Sequence, residues 1–276
     1  MTMTDCEGLW AGLWASEIEL HGKGLCAIIM RMSEGVFDTI EGRFIHIWSR
    51  IEAACVRAER DAADVQLVAV SKTFPPACID EALRAGVSIL GENRVQDALA
   101  KAPLCGSAEW HMVGRLQRNK VRAALGLFSA IHSVDSIQLL EEIARIQEET
   151  GHRPDVFLEV NVAGEASKTG FTPESVRDAV RAVLSLGCIR LVGLMALPPW
   201  RPEPEQSRPC FKALRELAVS LSDAFGVPLP ELSMGMSGDF EVAVEEGATF
   251  VRVGTALFGK RSSWKPQRSL DTDNYV

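Results

Sequence analysis

The sequence predicts an α/β protein built as a single (β/α)8 TIM barrel. Three observations carry this expectation. From about residue 44 onward, eight short apolar runs recur, helical patterns separate them, and no Gly-x-Gly-x-x-Gly fingerprint follows the first. Such alternation gives a parallel sheet with helical crossovers, and a count of eight favours closure over an open doubly wound sheet. At 276 residues the chain is long enough to bury a large core in one unit.

The runs are QLVAVSK (66–72), VSILGEN (87–93), EWHMVG (109–114), AIHSVD (130–135), DVFLEVNV (155–162), IRLVGLMAL (189–197), ELSMGMS (231–237) and FVRVG (250–254). Each is rich in Val, Ile, Leu or Met, as strands buried on both faces are. Helical patterns cover 76–85, 95–101, 136–150, 172–186, 209–225 and 239–246. Thr172 is placed to cap its helix, with Pro173 in the first turn. The Pro-rich stretch 197–209 reads as a surface loop after the sixth strand. Three segments result: an N-terminal extension over 1–40, the barrel over 41–261 and a polar tail over 262–276. The extension is read either as upstream of a physiological start at Met30 or Met32, or as an appended helix packing on the barrel.

Composition excludes several functions. Lys plus Arg number 29 against 37 Asp plus Glu, a net charge of −8. This argues against a binder of nucleic acid or anionic membranes. The seven cysteines are scattered and never paired as C-x-x-C, which suggests reduced thiols in a cytoplasmic protein and no metal site. No run is long enough for a membrane span. The only tyrosine is Tyr275, so mechanisms needing a buried tyrosine are disfavoured.

In such barrels the chemistry gathers at the C-terminal ends of the strands. Lys72 closes the first strand, where low-dielectric walls would favour the neutral amine that imine formation needs. The structural alternative is a lysine paired with Glu92 or Asp135. Ser237 ends the seventh run and Gly254-Thr255 the eighth. Small residues there let a phosphate approach backbone N–H groups. Arg252 shares the inward side with Gly254, facing either that phosphate, another acceptor, or a carboxylate such as Glu159 or Glu92. Together these parts suit a phosphorylated aldehyde held as an imine, either pyridoxal phosphate or an aldolase-type sugar phosphate.

The motifs LVAVSKT (67–73), GENRVQD (91–97), WHMVGRLQRNK (110–120), IHSVD (131–135), VNVAGEASKTGF (160–171), GLMAL (193–197), LSMGMSGDFEVAVEEG (232–247) and VRVGTALFG (251–259) occur in this order. By them the chain resembles the pyridoxal-phosphate homeostasis proteins (the YggS/PROSC group), single barrels related to the barrel domain of alanine racemase. The resemblance spans about 44–261. It implies pyridoxal 5'-phosphate bound as a Schiff base on Lys72, with Ser237, Gly254 and Thr255 on its phosphate. Arg252 would face the pyridine nitrogen, and Asn93 and Met195 would line the ring. His111, Asn119, Lys120 and Lys168 belong to these motifs without a derived role, and His111 reads as a satisfied barrel residue. Arg94 stands where family members often carry Tyr.

Alanine racemase needs a second base, a tyrosine from a separate domain, and this chain offers only Tyr275. The expected function is therefore a cofactor carrier in pyridoxal phosphate homeostasis without strong catalytic turnover, acting as a monomer on behalf of pyridoxal-phosphate-dependent apo-enzymes. The alternatives are a weak racemase or lyase using Lys72 as base, or a regulatory module that contacts a partner protein.

Overall fold

The computed structural model describes residues 39–165 and 169–260. Nearly all of the expected 1–40 extension, the 262–276 tail with Tyr275, and Lys168 lie outside the described residues. The strands are β1 (Gln66–Val70), β2 (Ile89–Glu92), β3 (Glu109–Met112), β4 (Ala130–Val134), β5 (Asp155–Glu159), β6 (Arg190–Met195), β7 (Glu231–Met236) and β8 (Phe250–Val253). They close in sequence order into a parallel barrel, with β8 pairing back onto β1. Each lies inside its expected run and stops one to three residues before the run does.

The helices are α1 (Ile40–Arg57), α2 (Pro76–Arg84), α3 (Val95–Lys101), α4 (Val121–Leu125), α5 (Ile137–Thr150), α6 (Val176–Leu186), α7 (Arg208–Phe225), α8 (Phe240–Glu245) and α9 (Thr255–Phe258). Three were not expected from sequence: α1 and the short α4 and α9. Helix α1 buries one face through Ile40, Ile47, Ile51, Ala54 and Cys55. Ile45 and Val56 remain exposed on its other side, which blurs the period in the sequence. Arg50 bonds Glu241 at 2.8 Å and Arg57 bonds Glu245 at 2.6 Å, fastening α1 to α8. The regular part of α6 begins at Val176 and not at Thr172. Thr172 still caps the preceding turn, since its Oγ1 accepts from the Ser175 N–H and Ser175 Oγ accepts from its own N–H.

Alternation divides the apolar residues into two cores. Val68, Val70, Ile89, Val113, Ala130, Phe157, Met195 and Phe250 fill the barrel interior. A larger cluster, including Leu90, Ile131, Leu158, Leu194 and Val251, packs the outer strand faces against the helices. Strands β6 and β7 approach so closely that a Cβ on Gly193 would sit 1.8 Å from the Glu231 carbonyl oxygen. No disulfide links the described cysteines Cys55, Cys78, Cys105, Cys188 and Cys210. No helix among the described residues is long and apolar enough to cross a membrane.

Candidate functional site

Lys72 follows the end of β1, half-buried, and continues the inner side of Val68 and Val70. Ser71 before it points the other way, into the layer between barrel and helices. There its Oγ donates to Glu92 Oε1 at 2.8 Å and its carbonyl accepts from Lys101 Nζ at 2.9 Å. Lys101 also lies 2.6 Å from Glu92 Oε1, and neither side chain meets solvent. The alternative that gave Lys72 a partner in Glu92 is corrected: the Glu92 carboxylate faces outward and is taken by Lys101, Ser71 and the Asn93 N–H. Asp135, the other suggested partner, lies 3.4 Å from Arg115. Thr73 adopts φ +68°, a left-handed backbone unusual for a β-branched residue. Its buried Oγ1 has no hydrogen-bond partner among the described residues.

Asn93 follows β2, half-buried. The chain after β3 passes so near it that a Cβ on Gly114 would lie 2.5 Å from the Asn93 carbonyl oxygen. Glycine is required there by contact with backbone.

At the opposite side of the β1 end, β7 turns tightly into α8, with Asp239 Oδ1 accepting the Met236 N–H at 2.7 Å. This turn presents Ser237, whose Oγ accepts from the N–H groups of Gly254 at 3.3 Å and Ala256 at 3.2 Å. Two backbone donors from the end of β8 therefore converge on one point. Thr255, between them, is exposed. Ala256 was not among the residues singled out by sequence, because a backbone donor leaves no mark on residue type.

Arg252 on β8 is buried inside the barrel. Its guanidinium donates to Ser233 Oγ at 2.5 Å and to the Ala196 carbonyl at 2.9 Å. It forms no ion pair with Glu159 or Glu92 among the described residues, which corrects that alternative. Glu159 instead accepts from Thr169 Oγ1 at 2.9 Å, and Glu92 faces the helix layer. Burial lowers the guanidinium to about 10, and raises the Glu159 carboxyl. Ser233 in turn lies 2.7 Å from His132 Nδ1, His132 Nε2 lies 3.0 Å from His111 Nδ1, and His111 Nε2 lies 3.0 Å from Glu109 Oε1. His111 thus has partners at both ring nitrogens. Burial holds the His132 imidazolium well below its ordinary range, with His111 and Arg252 adding to it. The hydrogen bond from His111 holds the Glu109 carboxyl at about 2.

Around the barrel, Met195 ends β6, Ser237 follows β7, Arg252 to Thr255 end β8, Lys72 follows β1 and Asn93 follows β2. The site residues singled out by sequence occupy five adjacent strand ends. Direct contacts join Ser237 to Gly254, and register pairs Val68 of β1 with Arg252. Met195 is fully buried in the interior cluster, below the mouth. Arg94 is exposed. Sequence reasoning missed Ser233, His132 and the Glu92–Lys101 pair. The alternation of β4 and β7 places His132 and Ser233 inward, and that was the available signal.

A closed parallel barrel of this construction places the chain in a class of barrels typified by alanine racemase, and the family described as alanine racemase, N-terminal domain, matches residues 49–262. A pyridoxal phosphate homeostasis protein of Aquifex aeolicus is 45% identical over 221 residues, covering 79% of this chain and 97% of the relative. One from Pseudomonas aeruginosa is 42% identical, covering 83% and 99%. Among solved structures, PipY of Synechococcus elongatus with PLP bound superposes with a TM-score of 0.69 at 40% identity, covering 77% of this chain and all of PipY. A D-threonine aldolase from Filomicrobium marinum shares the fold alone, at 14% identity and a TM-score of 0.66. This chain belongs to the pyridoxal phosphate homeostasis protein family.

Proposed function

We propose that the barrel mouth holds pyridoxal 5'-phosphate as a Schiff base on Lys72, and that the protein buffers this cofactor in the cell without strong turnover of its own. The carrying observation is the meeting of three unlike parts at the β7–β8–β1 ends. These are the amine of Lys72, the convergent donors at Ser237, Gly254 and Ala256, and an arginine bonded only to neutral acceptors among the described residues. The unpartnered Thr73 hydroxyl beside Lys72 fits a polar ligand there. The family and the PLP-bound relative support the same reading.

Pyridoxal phosphate supplies an aldehyde that an amine captures reversibly with loss of water. Lys72 provides that amine. Ser237, Gly254, Thr255 and Ala256 bind the phosphate through hydroxyl and backbone donors. Arg252 would face the pyridine nitrogen and disfavour its protonation, which would leave the ring a poor electron sink. Asn93 would flank the ring, with the buried Met195 packed beneath it. A cytoplasmic monomer serving apo-enzymes agrees with the acidic charge and with cysteines that never fall in a C-x-x-C pair, and the sequence's single tyrosine favours a carrier over a two-base racemase.

Borohydride reduction of the protein loaded with pyridoxal phosphate, followed by peptide mass spectrometry, should place the adduct on Lys72. Absence of visible absorbance, or an adduct elsewhere, overturns the assignment. Deuterium incorporation at the α-carbon of amino acids, lost in Lys72→Ala, would replace the carrier reading by an enzymatic one.

A further inference from the structure

The barrel interior holds a polar chain of which the cofactor reading uses only Arg252. It begins at Arg252 near the mouth and passes through Ser233, His132 and His111 to Glu109, the first residue of β3 at the opposite face. Glu109 is half-exposed there, at 51% of its side chain, while His132 is completely buried. The imidazoles run between aromatic walls: His132 stacks on Phe157 at 4.3 Å and meets Phe250 edge-on at 5.6 Å. Charged groups near the chain are Glu109, Asp155, Arg190 and Glu231 at the lower end, and Arg252, Asp239 and Glu159 at the upper end.

Donor and acceptor accounting gives this chain a direction. Arginine only donates, so Ser233 Oγ accepts from Arg252. An ionised Glu109 only accepts, so His111 Nε2 carries a proton toward it. With both imidazoles neutral, His111 Nδ1 then accepts from His132 Nε2–H, and His132 Nδ1 accepts the Ser233 hydroxyl proton. Every link is satisfied once. The reversed order, with neutral rings, would set a bare His111 Nε2 against the Glu109 carboxylate and leave the Ser233 proton without His132.

We propose that Glu109, His111, His132 and Ser233 form one oriented array that positions Arg252, so that a carboxylate on the opposite face of the barrel determines how firmly the arginine is held at the cofactor face. The four are positioning residues, and the proposal rests on the cofactor reading only for its effect on binding. Hydrogen bonds in a low-dielectric interior polarise one another, so the orientation set at Glu109 carries through to Ser233. Ser233 with its proton given to His132 has lone pairs to offer the guanidinium. In the reversed array the hydroxyl receives two donors and must turn its own proton elsewhere, which weakens its hold on Arg252.

The test uses Glu109, whose exposed position spares the fold. Full-length protein carrying 15N-histidine, without cofactor, should show His132 protonated at Nε2 and bare at Nδ1. Glu109→Gln, which still accepts from His111, should keep that tautomer and the affinity for pyridoxal phosphate. Glu109→Lys offers a donor in place of the acceptor. It should move the His132 proton to Nδ1 and weaken pyridoxal phosphate binding about ten-fold, the equivalent of one hydrogen bond to a charged group. An Nδ1–H tautomer in the wild type, or an unchanged tautomer and affinity in Glu109→Lys, overturns the proposal. Failure of the wild type to bind pyridoxal phosphate would instead reject the cofactor reading, while the tautomer measurement still decides the array.

Discussion

Lys101 Nζ lies 2.6 Å from Glu92 Oε1 in a layer that solvent does not reach, and the same ammonium holds the carbonyl of Ser71, the residue before Lys72. Charges out of water are costly unless paired and fully hydrogen-bonded, and here Glu92 accepts from Lys101, Ser71 and Asn93. Removing one member leaves the other buried and uncompensated. Lys101→Met should lower the unfolding free energy by about 3–5 kcal/mol in urea titration. The double variant Glu92→Leu/Lys101→Met should recover most of that loss. A double variant no more stable than the single would show that the pair is not the source.

At the β7–β8 ends, Ser237 contributes a hydroxyl to the point where two backbone donors meet. Its side chain is only half-buried, so its loss should leave the thermal midpoint unchanged. Ser237→Ala should weaken pyridoxal phosphate binding by about ten- to hundred-fold, the equivalent of a hydrogen bond to a charged group. Equilibrium dialysis measures this directly, and unchanged affinity would move the phosphate elsewhere.

Gly114 and Asn93 are in contact through backbone, which cannot retreat as a flexible side chain can. Gly114→Ala should destabilise the protein by about 1–3 kcal/mol or more through overpacking. It should also reduce cofactor affinity, because Asn93 is displaced with the loop. Full stability in a calorimetric scan would contradict the close approach.

The pH dependence of stability follows from His132. Its folded pKa lies well below the ordinary 6.5 because the ring is buried. A depressed folded pKa means that stability is present above the unfolded value and is lost as pH falls, because the unfolded state takes up the proton first. The unfolding free energy should therefore fall below about pH 6.5, with a slope from this site approaching 1.4 kcal/mol per pH unit, roughly. His132→Phe should remove that contribution, read as the difference between the two proteins' urea midpoints at pH 7.5 and 5.5. Glu109 acts in the same sense in a lower window, from its ordinary 4.5 down to about 2.

The barrel was legible because buried parallel strands announce themselves as apolar runs, and all eight lie where those runs occur. Helix α1 was not, since Ile45 and Val56 put apolar residues on its solvent side. The strand-end positions of the candidate residues were legible for the same reason as the strands: polar groups closing apolar runs. Their partners were not. His132 and Ser233 are separated by 101 positions, and only closure of the barrel makes them neighbours. Lys101 reads in sequence as a solvated helix charge, and nothing local says that it is sealed against Glu92. Alternation told which side Arg252 faces, but not which of several inward acceptors it would meet.

Strand β8 closes on β1, and the candidate site straddles that join: Lys72 comes from the first strand and Arg252 to Ala256 from the last. A chain still missing its last strand therefore has the amine but neither the arginine nor the backbone donors. On the proposed reading, cofactor capture would report on completed assembly. Because only the closed barrel would offer the full set, a ligand bound there would add its binding energy to the join itself, and the seam where the chain meets its own beginning would be the part of the molecule most strengthened by loading.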